Sequence, residues 1–233
     1  MSKKAVILLS GGLDSATVTA IAKNDNYELY GLSFNYGQRH DIELQMAQKI
    51  SKEYQFIDHK IINIETNIFQ NNALTDKNIQ VPKNRDDIGK ENEIPITYVP
   101  ARNILFLSYA LSYSESRNIN DIFIGVNILD YSGYPDCRPE FINSFEKMAN
   151  IGTAFATKKP FKIHTPLIEL SKAEIIASGL KFGVNYANAH SCYDPIYEND
   201  QYYACGKCDS CILRLEGFSK NNSKDPYLYY GKN

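Results

Sequence analysis

Along the chain, stretches with the hydrophobic pattern of a strand alternate with stretches that have the hydrophobic pattern of a helix. This predicts alternating strands and helices. Residues 5–9 form an unbroken apolar run typical of a buried strand, and helical spacing follows it. Strands joined through helices favour a parallel sheet with right-handed crossovers. The predicted strands are 5–9, 28–34, 55–63, 121–126 and 162–165. The predicted helices are 15–23, 41–54, 101–116, 139–151 and 172–179.

These elements indicate the fold class and the division of the chain. At 233 residues the chain can bury a substantial core in one sizeable domain. We expect residues 1–180 to form an α/β, Rossmann-like domain, with a parallel five-stranded sheet and helices on both faces. We expect residues 181–233 to form a small helical lobe packed as one unit with it. The polar stretch 65–94 is long for a loop, which favours a mobile lid or a partner surface.

The junction between the first strand and the first helix has the composition of an anion-binding turn. The apolar run stops at Ser-Gly-Gly-Leu-Asp-Ser, residues 10–15. Glycine lets a bulky anion approach the main chain, and free N–H groups at the helix start face that anion. The turn lacks the Lys-Ser/Thr pair of a Walker A loop and the G-x-G-x-x-G pattern. A turn without a ligand is the alternative, but the whole hexapeptide after a strand favours a phosphate site.

Two other segments are expected near this turn. Ligands of parallel sheets lie beyond the carboxyl ends of the strands, where the strand order switches. Residues 10–15, 35–40 and 125–138 each follow a predicted strand. We therefore expect the three segments to converge on one site.

Charge and composition narrow the class of partner. The chain has 25 Lys and Arg against 27 Asp and Glu, for a net charge of −2. Proteins that bind tRNA or duplex DNA usually carry a basic surplus, so we expect a small-molecule substrate and no stable nucleic-acid binding. No apolar stretch approaches the roughly 20 residues of a membrane span, and the N-terminus lacks a signal-peptide layout. These features favour a cytoplasmic protein without a membrane partner.

Four of the five cysteines have the spacing of a metal site. Cys192 is followed by twelve residues and then by Cys205, Cys208 and Cys211, with two residues between neighbours. In a reducing compartment such a cluster indicates metal or redox chemistry rather than disulfides. Four thiolates complete a closed tetrahedral Zn²⁺ site, and a C-x₂-C-x₂-C run also suits an iron–sulfur cluster. The spacing alone leaves both open.

Several motifs resemble known enzymes. Residues 10–15 resemble the pyrophosphate loop (PP-loop) of the N-type ATP pyrophosphatase superfamily, whose members activate a substrate oxygen as an adenylate. Tyr-Val-Pro-Ala-Arg-Asn at 98–103, Tyr-Ser-Gly-Tyr-Pro-Asp-Cys-Arg at 131–138 and Ser-Cys-Tyr at 191–193 narrow the choice. With the cysteine run they closely resemble the 7-cyano-7-deazaguanine synthase family of queuosine biosynthesis, from residue 8 to about 218. The resemblance implies a HUP-type, Rossmann-like domain and a ligase that forms carbon–nitrogen bonds.

The resemblance also implies a reaction and its partners. That family converts 7-carboxy-7-deazaguanine and ammonia into 7-cyano-7-deazaguanine. One ATP adenylates the carboxylate and releases diphosphate, and ammonia gives the amide. A second ATP activates the amide oxygen, and loss of AMP leaves the nitrile. The implied cofactors are one structural Zn²⁺ per chain and Mg²⁺ with ATP. A homodimer is expected, and free ammonia is the expected donor.

The candidate site residues fall into four groups. The family's ATP-binding stretch matches Leu8, Leu9, Ser10, Gly11, Gly12, Leu13, Asp14, Ser15, Ala16, Thr17 and Val18. Its zinc ligands match Cys192, Cys205, Cys208 and Cys211. The catalytic candidates near the phosphates are Asp14, Arg102 and Lys172. The substrate-binding candidates are Asp130, Tyr131, Tyr134, Asp136 and Arg138.

Chemistry suggests a role for each candidate. Two fixed cations would offset the charge of the departing diphosphate, while Asp14 would hold Mg²⁺ or orient the loop. Either tyrosine could stack on the flat base, Asp136 could accept hydrogen bonds from its N–H groups, and Arg138 could pair with the carboxylate. Ordinary surface cations and a rigid loop with core tyrosines are the alternatives. Cys137 is interpreted as structural, because an acid activated by ATP needs no thioester.

Two other functions fit parts of the sequence. A tRNA sulfurtransferase or lysidine synthase-like enzyme of the same superfamily would explain the loop and the cysteines. The acidic net charge and the lack of a second RNA-binding domain weigh against it. A non-catalytic ATP-binding sensor with a metal-bound tail would leave residues 130–138 unexplained.

Overall fold

The strands of the main sheet follow the predicted alternation. The computed structural model describes residues 3–39, 41–86, 88, 94–129 and 133–231. The strands are β1 (Lys3–Leu8), β2 (Tyr27–Asn35), β3 (Asp58–Asn63), β4 (Asp121–Phe123) and β5 (Lys162–His164). They pair in the order β3-β2-β1-β4-β5, and each pair is parallel. The prediction of an α/β, Rossmann-like fold with a parallel five-stranded sheet is confirmed.

The helices cover both faces of this sheet. They are α1 (Leu13–Asn24), α2 (Ile42–Glu53), α3 (Arg102–Glu115), α4 (Pro139–Gly152), α5 (Lys172–Lys181) and α6 (Asp209–Lys220). One core cluster joins the sheet to α3 and α4, and another joins it to α1, α2, α5 and α6. The first five helices begin and end within two residues of their predicted bounds. None of the helices among the described residues is long and apolar enough to cross a bilayer.

The central position of β1 explains its unbroken apolar sequence. Ala5, Val6 and Ile7 are completely buried. Val6 points into the core cluster of α3 and α4, whereas Ala5 and Ile7 point into the cluster of α1 and α5. A strand buried on both faces has no polar side, so it does not alternate. This strand delivers the chain to residues 10–15 at its carboxyl end.

The C-terminal lobe contains a hairpin that the sequence analysis did not predict. Strands β6 (Ile196–Glu198) and β7 (Gln201–Tyr203) pair in antiparallel fashion. The two residues between them, Asn199 and Asp200, have φ angles of 50° and 57°. Positive φ at both central residues is the geometry of the tight turn that matches strand twist. The lobe is therefore a hairpin and a helix around the cysteines, and not helical throughout.

The described part of stretch 65–94 packs against this lobe. It has one short 3₁₀ turn, Thr66–Ile68. Lys83 forms an antiparallel bridge with Cys208, and the Asn84 N–H donates to the Lys207 carbonyl at 2.8 Å. Arg39 donates to the carbonyls of Ala73 and Asp76 at 2.7 and 2.9 Å. These contacts hold the segment over the carboxyl edge of the sheet.

Candidate active site

A cavity of about 210 Å³ lies at the carboxyl ends of β1, β2 and β4. Its wall is made by segments that are distant in the sequence, at the edge where parallel sheets bind ligands. Each of the segments 10–15, 35–40 and 125–138 contributes some of its described residues to this wall. Polar side chains in the wall include those of Ser10, Asp14, Tyr36, Glu43, Arg102, Asn127, Tyr134, Lys172 and His190.

The turn at residues 10–15 is shaped by close backbone packing against α2. Gly11 has a φ of 83°, which favours glycine. A Cβ at this position would overlap the Glu43 carbonyl oxygen and lie 2.8 Å from the Ala47 nitrogen. The Gly11 carbonyl in turn accepts a hydrogen bond from the His190 N–H at 2.9 Å. Only glycine fits between these backbones without moving them.

The same turn presents hydrogen-bond donors to the cavity. Gly12 is the N-cap of helix α1, and no side chain caps the helix start, so the N–H groups of its first turn are available to an anion. Leu8, Leu9, Ser10, Gly12, Leu13, Asp14 and Ser15 line the cavity. The other residues of the predicted ATP-binding stretch, Gly11, Ala16, Thr17 and Val18, are buried beneath them. That the stretch binds ATP remains a prediction.

Two catalytic candidates, Lys172 and Asp14, form an ion pair beside this turn. The Lys172 ammonium lies 2.7 Å from the Asp14 carboxylate, and the lysine side chain is only 9% exposed. Lys172 is the first residue of α5, which begins with a reciprocal capping box between Ser171 and Glu174. The cap fixes the start of the helix. The lysine therefore enters the cavity from a rigid position.

Arg102 enters the cavity from the start of α3. The preceding residue, Ala101, has a φ of 54°, and Asp136 accepts a hydrogen bond from the Asn103 N–H at 2.9 Å. Asp136 thus caps the helix from another segment. Burial alone disfavours the charged guanidinium, but Tyr36 and other acidic groups around it raise the pKa of Arg102 above its ordinary value. Its Nη1 donates to the Tyr36 hydroxyl at 3.3 Å.

The substrate-binding candidates occupy different environments. Tyr134 is buried in the cavity wall, and its hydroxyl lies 2.7 Å from the Thr97 hydroxyl. Arg138 is exposed at the start of α4 and does not line the cavity. Asp130 and Tyr131 lie outside the described residues. The structure therefore brings one of the candidate tyrosines to the cavity, while the assigned roles remain predictions.

Cys137 lies in the same wall, as a buried thiol. Burial is the main cause that raises its pKa to about 12. The Asn103 amide donates to its sulfur at 3.4 Å. Because thiolate is the reactive form, this environment supports the structural interpretation.

Glu43 is a cavity residue that the sequence analysis missed. It lies in the first turn of α2, and burial raises its pKa to about 7, against the opposing charge of Arg102. The signal was available, because the helix start after β2 lies at the same edge of the sheet as residues 35–40. Extending that segment by three residues would have included it.

His190 and Arg214 are two further residues that periodicity and spacing did not indicate. His190 is buried in the cavity wall, and its Nε2 donates to the Cys192 carbonyl at 2.9 Å. Arg214 forms a two-pronged ion pair with Asp225, at 2.7 and 2.9 Å, and donates to the Tyr186 carbonyl at 2.8 Å. Both residues line the cavity, and these bonds within the C-terminal lobe fix their positions there.

The four clustered cysteines converge on a structural metal site. Their sulfur atoms all lie within 4.8 Å of one another, and all four residues are buried. Several backbone N–H groups point at the sulfurs, such as Cys205 to Cys192 at 3.2 Å and Cys208 to Cys205 at 3.3 Å. Such donors favour the thiolate form that binds a metal.

Comparison with known proteins identifies relatives of the whole chain. The model of the family described as Queuosine biosynthesis protein QueC matches residues 4–222. The 7-cyano-7-deazaguanine synthase of Rickettsia akari (strain Hartford) is 51% identical over 228 residues, 97% of this chain and 99% of that protein. The 7-cyano-7-deazaguanine synthase of Citrifermentans bemidjiense is 53% identical over 230 residues, 98% of this chain and 99% of that protein.

One solved structure shares the fold at lower identity. A 4-thiouridine synthetase–RNA complex with bound ATP is 17% identical, with a TM-score of 0.51. The match covers 93% of this chain and 53% of that one. At this identity the likeness concerns the fold alone.

Proposed function

Because the chain belongs to the queuosine biosynthesis protein family QueC and shares the ATP-dependent 7-cyano-7-deazaguanine synthase activity of its relatives, we propose how its cavity divides between two substrates. ATP binds at residues 10–15, and 7-carboxy-7-deazaguanine lies on the side of Arg102. One observation carries this division: an uncapped helix start and the half-buried guanidinium of Arg102 line the same cavity. Family membership favours this ligase over a tRNA-modifying enzyme and over a nucleotide sensor.

At the ATP end, the chain supplies donors and one buried cation. The first N–H groups of α1 bind the β- and γ-phosphates, which leave together as diphosphate. Lys172 offsets their charge after turning from Asp14 toward the phosphates. The carboxylate and hydroxyl oxygens of Asp14, Ser10 and Ser15 are hard ligands that suit the Mg²⁺ bound to ATP, which neutralises phosphate charge.

At the acid end, Arg102 binds the substrate carboxylate. A guanidinium that is half-buried and charged is suited to two parallel hydrogen bonds with that group. Tyr134 and Phe106 supply aromatic surface for the base, and both line the cavity. Arg138 is exposed, so we assign the carboxylate contact to Arg102 in its place.

The reaction then depends on how the substrates are positioned and does not need a nucleophile from the protein. The carboxylate oxygen attacks the α-phosphorus of ATP, and the bond to diphosphate breaks. Ammonia attacks the activated carbonyl carbon, and AMP leaves with the electron pair of its C–O bond. Activation of the resulting amide oxygen by a second ATP lets AMP leave again, with loss of two protons from nitrogen to give the nitrile.

We assign the metal site to Zn²⁺. A Zn–S distance of about 2.3 Å puts four thiolates roughly 3.8 Å apart, which suits sulfurs lying within 4.8 Å of one another. An iron–sulfur cluster places its own atoms between the thiolates and holds them farther apart. Zinc with four ligands keeps no open position, so its role is structural.

The remaining expectations concern the assembly and its compartment. A reducing, cytoplasmic compartment suits four cysteines that are free to bind a metal. The proposal also states that the protein forms a homodimer and does not bind nucleic acid stably. Light scattering and a tRNA filter-binding assay test them directly.

One assay tests the proposed reaction. Zinc-loaded protein is incubated with ATP, Mg²⁺, ammonium and 7-carboxy-7-deazaguanine, and AMP and the nitrile are followed by mass spectrometry. Arg102→Gln is expected to lower turnover of the acid by about 10²–10³-fold, because the carboxylate loses its charged donor. Arg138→Gln is the matched control and keeps turnover. Absence of nitrile from folded wild-type protein would falsify the activity, and the reverse order of the two variants would return the carboxylate to Arg138.

A further inference from the structure

A second, smaller cavity adjoins the main one. Its volume is about 60 Å³, and its wall includes Gln38 and Arg39. It shares Tyr36, Glu43, Leu74, Arg102, His190 and Tyr193 with the larger cavity. A water molecule occupies roughly 10–15 Å³ on this scale, so the cavity holds a few molecules of that size but no bicyclic base.

The side cavity leads from half-exposed residues to buried ones. Gln38, Arg39 and Tyr193 are partly exposed, whereas Tyr36 and His190 are buried. The side cavity therefore gives a small molecule a way to the reacting carbon that does not pass the phosphate loop. Ammonia reacts only after ATP has activated the acid, so it must reach the activated carbon while both of these groups occupy the larger cavity.

Glu43 is the carboxylate in the wall of this side cavity. Within the described residues its carboxylate has no hydrogen-bond partner, although the charge of Arg102 reaches it. The other acidic residue in the wall of the larger cavity, Asp14, is paired with Lys172. A glutamate in the first turn of a helix is common, because the helix dipole favours it. That explanation does not account for the position of Glu43, which lines both cavities.

We propose that the side cavity is the ammonia site and that Glu43 takes the proton from ammonium there. This inference rests on the proposed function. Ammonium gives one proton to the Glu43 carboxylate and becomes ammonia. The nitrogen lone pair then forms the bond to the activated carbonyl carbon, AMP leaves with the C–O electron pair, and a second proton passes from nitrogen to water.

The neighbouring charge explains why the proton must leave at this point. Arg102 lines both cavities, and its positive charge repels ammonium but not ammonia. A carboxylate whose pKa is raised toward neutrality is also a stronger base than an ordinary glutamate. The position of Glu43 in the side cavity and its raised pKa thus both favour this residue as the base.

The test separates ammonia delivery from acid activation. Glu43→Gln is expected to lower kcat/KM for ammonium by about 10²-fold, the range for loss of a general base. Exchange of labelled diphosphate into ATP, measured with the acid and without ammonium, is expected to stay within about twofold of wild type. Hydroxylamine is already neutral at pH 7, so its conversion to the hydroxamate is expected to survive in Glu43→Gln. Glu43→Asp should recover part of the ammonium-dependent rate.

The control is a glutamate at the same helix position without a cavity. Glu140 is the second residue of α4 and is exposed, so Glu140→Gln should leave all three rates unchanged. If Glu43→Gln raises KM for the acid and leaves the ammonium dependence unchanged, Glu43 belongs to base recognition and the proposal fails. Equal loss of ammonium and hydroxylamine turnover overturns it as well. Failure of the wild-type exchange reaction overturns the proposed function instead.

Discussion

The turn at residues 10–15, the predicted phosphate loop, is built from one continuous segment, whereas the cysteine cluster of the C-terminal lobe is built from separate segments. The loop is contiguous: it joins β1 directly to α1 and packs against the backbone of α2. The cluster gathers sulfurs from Cys192 and from residues 205–211, and the 83–84 segment pairs with it. A local turn is specified by its own sequence, whereas the lobe has a small core in which the cysteines themselves take part. We therefore expect the lobe to depend on the metal for its stability.

The two regions are nonetheless connected through one residue. The His190 N–H donates to the Gly11 carbonyl at 2.9 Å, while its side chain donates to the Cys192 carbonyl at 2.9 Å. Because Cys192 is one of the four cysteines of the metal site, the position of the turn at residues 10–15 is linked to that site over a few bonds. The difference between the regions thus concerns what stabilises each of them, and not whether they act together.

Loss of the metal is expected to have the largest effect. Cys208→Ser removes a ligand at the start of α6. Structural zinc contributes roughly 10–16 kcal/mol in isolated peptides, which rivals the total stability of about 5–15 kcal/mol of a domain. We expect the lobe to unfold and, through His190, the loop to lose ATP affinity. Hydrogen exchange with zinc analysis measures both, and chelation of the wild type should give the same pattern.

An outcome limited to the lobe would break this connection. If Cys208→Ser loses zinc and protection around α6 but binds ATP as wild type does, the loop is independent of the metal. Ser219→Ala, at the other end of the same helix, serves as the control because its side chain is exposed. It should retain both zinc and protection.

The second effect tests the loop itself. Gly11→Ala combines a positive φ, worth about 1–2 kcal/mol, with an overlap on the backbone of α2, worth about 1–3 kcal/mol. Gly183→Ala is the matched control, because Gly183 has a φ of 74° with nothing within 4 Å of the added Cβ. We expect chemical denaturation to show the φ cost alone in Gly183→Ala and both costs in Gly11→Ala.

Activity should separate the two glycine variants further. A displaced loop is expected to lower turnover by about 10²-fold in Gly11→Ala. Gly183→Ala should keep wild-type turnover in the fraction that is folded. Equal stability losses in the two variants would show that α2 yields to the added methyl group, and that the loop is held less rigidly than its contacts indicate.

The same contrast explains how much of the molecule could be predicted from sequence. The strands and the first five helices were predicted because periodicity and caps such as Ser171–Glu174 are local signals. The loop and the four cysteines were found because each is a compact motif. The hairpin around Asn199 and Asp200 was missed, because strands of three residues are too short to show a period.

The residues missed at the site share a different cause. His190 and Arg214 gain their roles from partners well separated from them in sequence, the Gly11 carbonyl for His190 and the Tyr186 carbonyl for Arg214. No local pattern distinguishes them from ordinary core polar residues. The carboxylate contact predicted for Arg138 remains untested, but the helix start at Pro139 leaves that arginine exposed and away from the cavity.

The third effect concerns Glu43 in the ligand-free protein. Its pKa is about 7 in the fold and about 4.3 in the unfolded chain, so the folded state binds the extra proton between these values. Stability conferred by that proton is full below about pH 4.3 and is lost as pH rises to about 7. In the wild type, this loss lowers the free energy of unfolding by about 1–3 kcal/mol, a range that already allows for the partial exposure of the side chain. Glu43→Gln should remove this pH-dependent loss.

Denaturation by urea at pH 5 and pH 8 measures this difference. Wild type and Glu140→Gln should lose stability alike over this range, and Glu43→Gln should lose less. Parallel curves for all three proteins would mean that Glu43 titrates as an ordinary surface glutamate. The ammonia site would then lack its stronger base, while the phosphate loop would be unaffected.

The smallest effect is expected at Cys137. Removing its sulfur costs about 1–2 kcal/mol as a small cavity, because the thiol is buried. The Asn103 amide loses a sulfur contact at 3.4 Å but keeps the Asp136 carbonyl at 3.2 Å. Turnover of Cys137→Ala should therefore stay within about fivefold of wild type in single-turnover assays. Complete loss of turnover in a protein with a wild-type fold would make Cys137 a nucleophile, and the wall of the cavity would then take part in the chemistry that we assign to the loop and Arg102.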